Sequence, residues 1–259
     1  MDMDDFETRF GGIARLYGEA GLRRLRAAHV AVVGIGGVGV WAVEALARSG
    51  VGTLTLVDLD EICTTNINRQ LHALTETVGR AKVETMAERV RSINPECRVH
   101  VRQTFLNAEN AAELLAPDFN FVFDAIDSVT DKVALLAGCR ARKLPVISAG
   151  AAGGRREVTL IKVADLARVS HDRLLGEVRR RLRRDCGLPA EGFAMGIDSV
   201  FSTEAPVFGQ PDGSVCPTRA EPEPGTRLNC NEGLGSATFV TGAFGFAAAG
   251  WIVKKIAEA

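Results

Sequence analysis

His29-Val-Ala-Val-Val-Gly-Ile-Gly-Gly-Val-Gly39 is the stretch that decides the fold. Four apolar residues after His29, three of them β-branched, suit a buried strand, and the run that follows Gly39 suits a helix. Between them lies Gly34-x-Gly36-x-x-Gly39, with Gly37 beside the second glycine. Gly34 permits the tight turn, Gly36 lets backbone approach a phosphate, and Gly39 lets the helix pack closely on the strand. The helix start then offers free N–H groups and partial positive charge to an anion. A nucleotide-binding strand–turn–helix unit follows from this reading.

Working outward, strand and helix signals alternate. Residues 29–33, 53–57, 98–102, 120–125 and 145–148 read as strands; 38–49, 78–93, 108–115 and 129–142 read as helices. Such alternation predicts an α/β, Rossmann-like fold: a mostly parallel central sheet flanked by helices, with right-handed crossovers. After Gly150-Ala-Ala-Gly-Gly154 the texture changes. There 157–163 and 198–203 read as strands, 170–186 as a basic helix, 210–231 as a proline-containing loop and 236–256 as a helix rich in small residues. No linker separates the two stretches. One domain over 1–259 is therefore expected, with a nucleotide-binding half at about 9–155 and a C-terminal extension at about 156–259.

The formal net charge is -1, so no global field favours nucleic acid or membrane, and any such signal is local. The 6 cysteines are scattered without a Cys-x-x-Cys pair, and the acidic Met-Asp-Met-Asp-Asp start has no apolar signal region. Reduced thiols and a cytoplasmic location are the expectation.

The polar residues after the strands narrow the chemistry. Val57-Asp-Leu-Asp60 ends the second strand and sets Asp58, with Asp60 beside it, to accept from ribose hydroxyls. Asn66, Arg69, Gln70 and Lys82 follow, and Asp124-Ala-Ile-Asp-Ser128 adds Asp127 and Ser128 at the end of the fourth strand. All three segments project from the carboxyl edge of the sheet. A carboxylate attacking a triphosphate meets like-charge repulsion of order 4 kcal/mol per unit pair at about 4 Å and an effective dielectric near 20. Two cations offset that repulsion, and an Asp can hold the metal that neutralises departing pyrophosphate. An NAD-dependent oxidoreductase would use the glycines and Asp58 but has no need of Arg69 and Lys82. Taken singly, Arg69 and Lys82 are surface charges and Asp127 is a helix cap; their convergence on one edge favours phosphate chemistry.

Gly34-Ile-Gly-Gly-Val-Gly39, Val57-Asp-Leu-Asp60, Asn66-x-x-Arg69-Gln70, Gly79-Arg-Ala-Lys82 and Asp124-x-x-Asp127 resemble the ubiquitin-activating-enzyme-like adenylating proteins, which include the sulfur-carrier activators. The resemblance implies ATP as cofactor, Asp58 on the ribose, Asn66, Arg69 and Lys82 on phosphates, and magnesium held by Asp127. Arg69, Lys82 and Asp127 would then be catalytic. A homodimer is implied, with an arginine reaching ATP across the interface; Arg9 and Arg15 are both candidates. Whether a monovalent cation sits near the nucleotide stays open.

Within that superfamily, Arg9-Phe-Gly-Gly, Asn94-Pro-Glu-Cys-Arg98, Val200-Phe-Ser-Thr-Glu-Ala205, Asp212-Gly-Ser-Val-Cys216 and Phe244-Gly-Phe246 look like the bacterial tRNA threonylcarbamoyladenosine dehydratase family, nearly end to end. The implied reaction is ATP-dependent cyclisation of threonylcarbamoyladenosine next to the anticodon. Adenylation of the C-terminus of a sulfur-carrier protein is the alternative. The paired zinc cysteines of many such activators are missing, and Cys186, Cys216 and Cys230 lack tetrahedral spacing, so no zinc is expected. Cys230 matches the family's candidate nucleophilic or sulfur-relay position. A non-catalytic scaffold serving a cysteine desulfurase system is a further rival.

Arg168, Arg173, Arg179, Arg180, Arg181, Arg183 and Arg184 crowd one segment. On a helix, Arg173, Arg180 and Arg184 share a face, as do Arg179 and Arg183. A solvated surface would explain them, but so dense a cluster in a near-neutral chain favours contact with tRNA phosphates, with Arg173, Arg179, Arg180, Arg183 and Arg184 as the contacts. Gly233 to Val253 carries no charged residue and could span a bilayer, yet its Ala, Gly and Thr content suits a buried helix better. His72 and His171 are expected to make ordinary surface or loop hydrogen bonds.

Overall fold

The structure is a computed structural model, and it describes residues 5–210, 212–218 and 234–259. The first element is a helix the sequence reading left unassigned, α1 (Asp5–Ala27), broken at Gly18 with φ 74°. Its apolar residues are sparse among charges, yet Phe6, Phe10, Leu22 and Leu25 are buried. The rings of Phe6 and Phe10 lie 4.7 Å apart.

The strand–turn–helix unit follows as β1 (His29–Val33) and α2 (Gly39–Arg48), then β2 (Thr53–Val57), α3 (Lys82–Ile93), β3 (Arg98–Arg102), α4 (Ala111–Leu114), β4 (Phe121–Asp124), α5 (Val129–Ala141) and β5 (Val146–Ala149). The remaining elements are β6 (Ile161–Asp165), α6 (Arg173–Cys186), β7 (Asp198–Ser202), the short pair β8 (Phe208–Gly209) and β9 (Val215–Cys216), and α7 (Thr238–Ala257). Seven strands form one sheet in the order β3-β2-β1-β4-β5-β7-β6. All neighbours are parallel except β6, which runs antiparallel to β7. The mostly parallel, helix-flanked α/β sheet is as expected, and β6 and β7 from the C-terminal half extend it.

Alternation along β1 sends Val30 and Val32 to one face, under α2, α3 and α7, and Ala31 and Val33 to the other, under α5 and α6. The apolar C-terminal helix is part of the first layer. It is long and apolar enough to cross a membrane, yet Val240, Phe244, Ala248, Ile252 and Ile256 are buried in the core. A Cβ on Gly245 would stand 2.6 Å from the Val38 carbonyl oxygen, so glycine is what lets α7 lie against α2.

Helices α4 and α6 start later than expected, at Ala111 and Arg173, and three further stretches depart more. The helix expected over 78–93 begins only at Lys82, because Gly79 adopts φ 87° and residues 79–82 turn back to bond the segment after β2. Gly79 N–H donates to Ile62 O at 2.8 Å and Lys82 N–H to Asp60 O at 3.1 Å. The strand expected over 157–163 opens as a single 3₁₀ turn, Val158–Leu160, because Glu157 accepts from Thr159 N–H and caps it; the strand proper is β6. Of the loop expected over 210–231, residues 215–216 are β9, and 211 and 219–231 lie outside the described residues.

Candidate active site

The strand order reverses between β1 and β4, and the crevice at their carboxyl ends is where a ligand fits in such a sheet. Val33 is level with Val57 on one side and with Asp124 on the other, which brings the turns after β1, β2 and β4 together. Gly34 has φ 93°, and a Cβ there would meet Ala125 O at 2.8 Å. A Cβ on Gly39 would fall 1.8 Å from Gly34 O. Gly36 faces open space, with nothing within 4 Å of its would-be Cβ, so that face is free to receive a phosphate. No side chain caps the start of α2, which leaves its first N–H groups to an anion.

Asp58 holds the turn from the next strand. Its Oδ2 accepts Ile35 N–H at 2.7 Å and its Oδ1 accepts Asp60 N–H at 2.8 Å. Burial raises its pKa, while Lys82 and the two N–H bonds pull it back. Each oxygen keeps a lone pair for a sugar hydroxyl.

The basic groups arrive from the segment between β2 and α3. Lys82 opens α3 and is buried, with Nζ 2.7 Å from Asp60 Oδ2. Arg69 donates from Nη1 to Thr65 O at 2.7 Å and to Asn68 Oδ1 at 3.0 Å. Its stem lies against the phosphate turn: a Cβ on Gly37 would sit 3.4 Å from Arg69 Cγ. Its carbonyl accepts Trp41 Nε1–H at 3.0 Å. Buried Asn66 spends Oδ1 on Cys63 N–H at 3.0 Å, which shapes that loop. Gln70 is buried with Oε1 unpartnered, an acceptor without a protein donor.

His72 lies on a turn and makes a hydrogen bond, as the loop half of the expectation had it, but it is buried and not at the surface. Nε2 lies 3.0 Å from Ile35 O and therefore carries the proton, while Nδ1 has no partner. Burial lowers its pKa to about 4. Asp58 and His72 thus hold the two backbone groups of Ile35 inside the phosphate turn. The polar run 66–72 contained the signal, but burial on Ile35 is a tertiary fact.

Asp127 is exposed, and its carboxylate has no hydrogen bond or ion pair among the described residues. Capping of α5 falls instead to Ser128, whose Oγ accepts Asp131 N–H at 3.4 Å. Ser128, expected at the nucleotide, is thus engaged in the helix start. Beneath this turn sits a group that sequence reasoning missed: Asp124, Lys132 and Ser148, each fully buried. Lys132 Nζ is 2.8 Å from Asp124 Oδ2 and 3.2 Å from Ser148 Oγ; Ser148 Oγ donates to Asp124 Oδ2 at 2.7 Å.

Among the described residues no three His, Cys, Asp or Glu side chains gather as a metal site. The donor set is one free carboxylate, which fits a magnesium ion held mainly by phosphate oxygens and not a protein-only cage. Of the two candidate inter-subunit arginines, Arg9 is tied to Asp5 at 2.6 Å and to Ile93 O at 3.4 Å. Arg15 is exposed and has no hydrogen bond or ion pair among the described residues. Cys230 lies outside the described residues.

The arginine helix meets this edge at two points: Arg181 Nη1 donates to Thr130 Oγ1 at 3.2 Å in the first turn of α5, and Asp172 holds the turn after β5. Arg179, Arg180, Arg183 and Arg184 line one groove of about 570 Å³ with Gly176, Leu188 and Ala190, so the two faces expected for them merge. Arg179 and Arg183 are half spent on carbonyls: Arg179 on Leu166 O and Val169 O at 3.1 and 2.8 Å, Arg183 on Pro189 O at 3.1 Å. Arg180 and Arg184 pair with Glu177 and Asp185 on the exposed side. Arg173 stands over the Phe208 ring at 6.0 Å, away from the groove. At the helix start, Asp172 accepts Leu175 N–H at 2.9 Å and Ala151 N–H at 2.8 Å. Buried Arg155 donates Nη2–H to His171 O at 2.6 Å, while its Nε and Nη1 have no partner.

The comparisons agree with this geometry. The ThiF family model matches residues 12–259. The tRNA threonylcarbamoyladenosine dehydratase of Escherichia coli is 50% identical over 254 residues, covering 98% of this chain and 95% of the relative. That of Haemophilus influenzae is 47% identical over 257 residues, at 98% and 95%. The crystal structure of the E. coli dehydratase in complex with ATP superposes with a TM-score of 0.86 at 46% identity, over 99% of this chain and 96% of that one. The chain belongs to the ThiF family and, within it, to the tRNA threonylcarbamoyladenosine dehydratases.

Proposed function

We propose that the chain is an ATP-dependent dehydratase that cyclises threonylcarbamoyladenosine next to the anticodon of tRNA. The observation that carries it is the carboxyl edge itself. An open glycine turn and an uncapped helix start stand beside Arg69, Lys82 and an unpartnered Asp127, in a chain 50% identical to a curated dehydratase over 98% of its length.

The nucleotide enters with its ribose on Asp58 and its phosphates over Gly36, at the start of α2. The threonyl carboxylate attacks the α-phosphorus, the bridging bond to the β-phosphate breaks, and pyrophosphate leaves. Arg69 and Lys82 neutralise charge that builds on the phosphates; Lys82 does so by turning from Asp60, 2.7 Å away and half exposed. Asp127 is the side chain that would hold magnesium, which would supply positive charge to the departing pyrophosphate. The ureido nitrogen then attacks the acyl carbon of the adenylate, loses its proton and expels AMP. The net change in the nucleoside is loss of one water. Ring closure is intramolecular and gains effective molarity, so it needs no covalent enzyme intermediate.

The tRNA backbone would lie along the groove of Arg179, Arg180, Arg183 and Arg184. A second copy of the chain completes the nucleotide site with Arg15, the candidate whose guanidinium is uncommitted. The reaction takes place in the cytoplasm, where its RNA substrate is. Sulfur-carrier activation is disfavoured by the end-to-end likeness to dehydratases.

Incubation with ATP, magnesium and tRNA, followed by nucleoside mass spectrometry, tests the reaction: the threonylcarbamoylated adenosine loses the mass of one water. No loss, or turnover undiminished in Arg69→Ala or Lys82→Ala, would overturn it.

A further inference from the structure

The turn that carries Asp127 runs from the end of β4 to the start of α5, and it is fastened on either side of Asp127. At its near end Ala125 N–H donates to Val33 O at 2.8 Å, and the Ala125 carbonyl presses against Gly34. Ile126 N–H donates to Asp124 Oδ1 at 3.1 Å. At its far end Lys132 N–H donates to Ser128 O at 3.0 Å, closing the first turn of α5.

Asp124 is the pivot of this arrangement, and its second oxygen is committed to Lys132 and Ser148. Those partners come from α5 and from β5, whose Ser148 is level with Asp124 in the sheet. Both charges of the pair are at 0% side-chain exposure. A dry ion pair is a poor way to stabilise a core, because removing both charges from water consumes most of their attraction. Such a pair does fix direction: the carboxylate can face only one way, so the N–H of Ile126 and the residue after it are held in one orientation.

We propose that Lys132 is a positioning residue. Through Asp124, and with Ser148, it sets the turn that presents Asp127 to the metal-bearing polyphosphate end of ATP. The inference rests on the adenylating reading above.

Calorimetric binding of AMP and of ATP, with magnesium and with chelator, tests it in the full chain. Lys132→Met alone would strand a buried carboxylate, so the variant used is Asp124→Asn/Lys132→Met, with folding checked by circular dichroism. Ser148→Ala, which leaves the ion pair in place, serves as a second and gentler change. The double variant should lose on the order of 10- to 100-fold in magnesium-dependent ATP affinity, as supporting groups around metal ligands do, and Ser148→Ala should shift it in the same direction by less. AMP affinity, which does not involve the polyphosphate, should stay within about twofold. In an Asp127→Ala background the double variant should cause no further loss, since the effect runs through Asp127.

Equal weakening of AMP and magnesium–ATP, full additivity with Asp127→Ala, or unchanged magnesium-dependent affinity in both clamp variants would each overturn the proposal. Absence of any ATP binding by the wild-type protein would remove the adenylating reading itself, and the proposal with it.

Discussion

Acid should loosen this protein through His72. In the folded chain the imidazole is buried against Ile35 O and its pKa falls from 6.5 to about 4. The unfolded chain takes up a proton near pH 6.5, whereas the folded one does so only near 4. The unfolded state therefore holds more protons in that window, and stability falls as pH drops through it. With those two values the loss from this group is about 2 kcal/mol at pH 5 and approaches about 3 kcal/mol near pH 4. Other groups titrate there too, so the measurement is a difference. Urea unfolding at pH 7.5 and 5 is compared between wild type and His72→Gln, whose amide can still donate to Ile35 O without titrating. The wild type should lose about 2 kcal/mol more than the variant. Parallel losses in the two proteins would show that the ring is not held neutral by burial, and the account of the Ile35 anchor would fail.

Gly39→Ala would place a methyl 1.8 Å from Gly34 O, so the start of α2 must shift; a stability loss of about 1–3 kcal/mol and weaker ATP binding should appear in unfolding and calorimetric titrations. Arg180→Gln/Arg184→Gln breaks only exposed ion pairs, so the melting point should hardly move, while the salt dependence of tRNA binding flattens by about 1–2 logarithmic units per unit. An unchanged slope would take the RNA backbone out of this groove. Arg179→Gln removes donors from two carbonyls and should cost about 1–3 kcal/mol in stability. Arg155→Met removes the 2.6 Å donor to His171 O and the charge beside buried Asp172, and should cost about 1–3 kcal/mol in urea titrations; unchanged stability would mean that burying the two unpartnered nitrogens offsets those contacts.

What could be read from residues alone was whatever depends on local spacing. The glycine turn, the buried strands on either side of the helix crossovers and the acids at strand ends are local patterns, and each lies where its spacing required. What escaped depends on partners distant in the chain. Asp124, Lys132 and Ser148 meet only because β4 and β5 pair in one register. Helix α1 hides four apolar residues among arginines and glutamates, and its buried face comes from docking against the last helix and, at Phe6 and Phe10, against the loop at Gly50. The arginine cluster was legible as charge, but its division into carbonyl-bound and exposed members follows from the loops at Leu166, Val169 and Pro189.

The place of α7 bears on biogenesis. Helix α7 covers the same sheet face as α2 and meets α1, which lies far earlier in the chain. In a ribosome-bound nascent chain α2 and α3 can cover part of that face early, yet the place of the third helix stays open until residues 238–257 emerge. Closure over so long a sequence separation is slow and leaves apolar surface exposed meanwhile. The N-terminal half alone therefore leaves part of its core face uncovered.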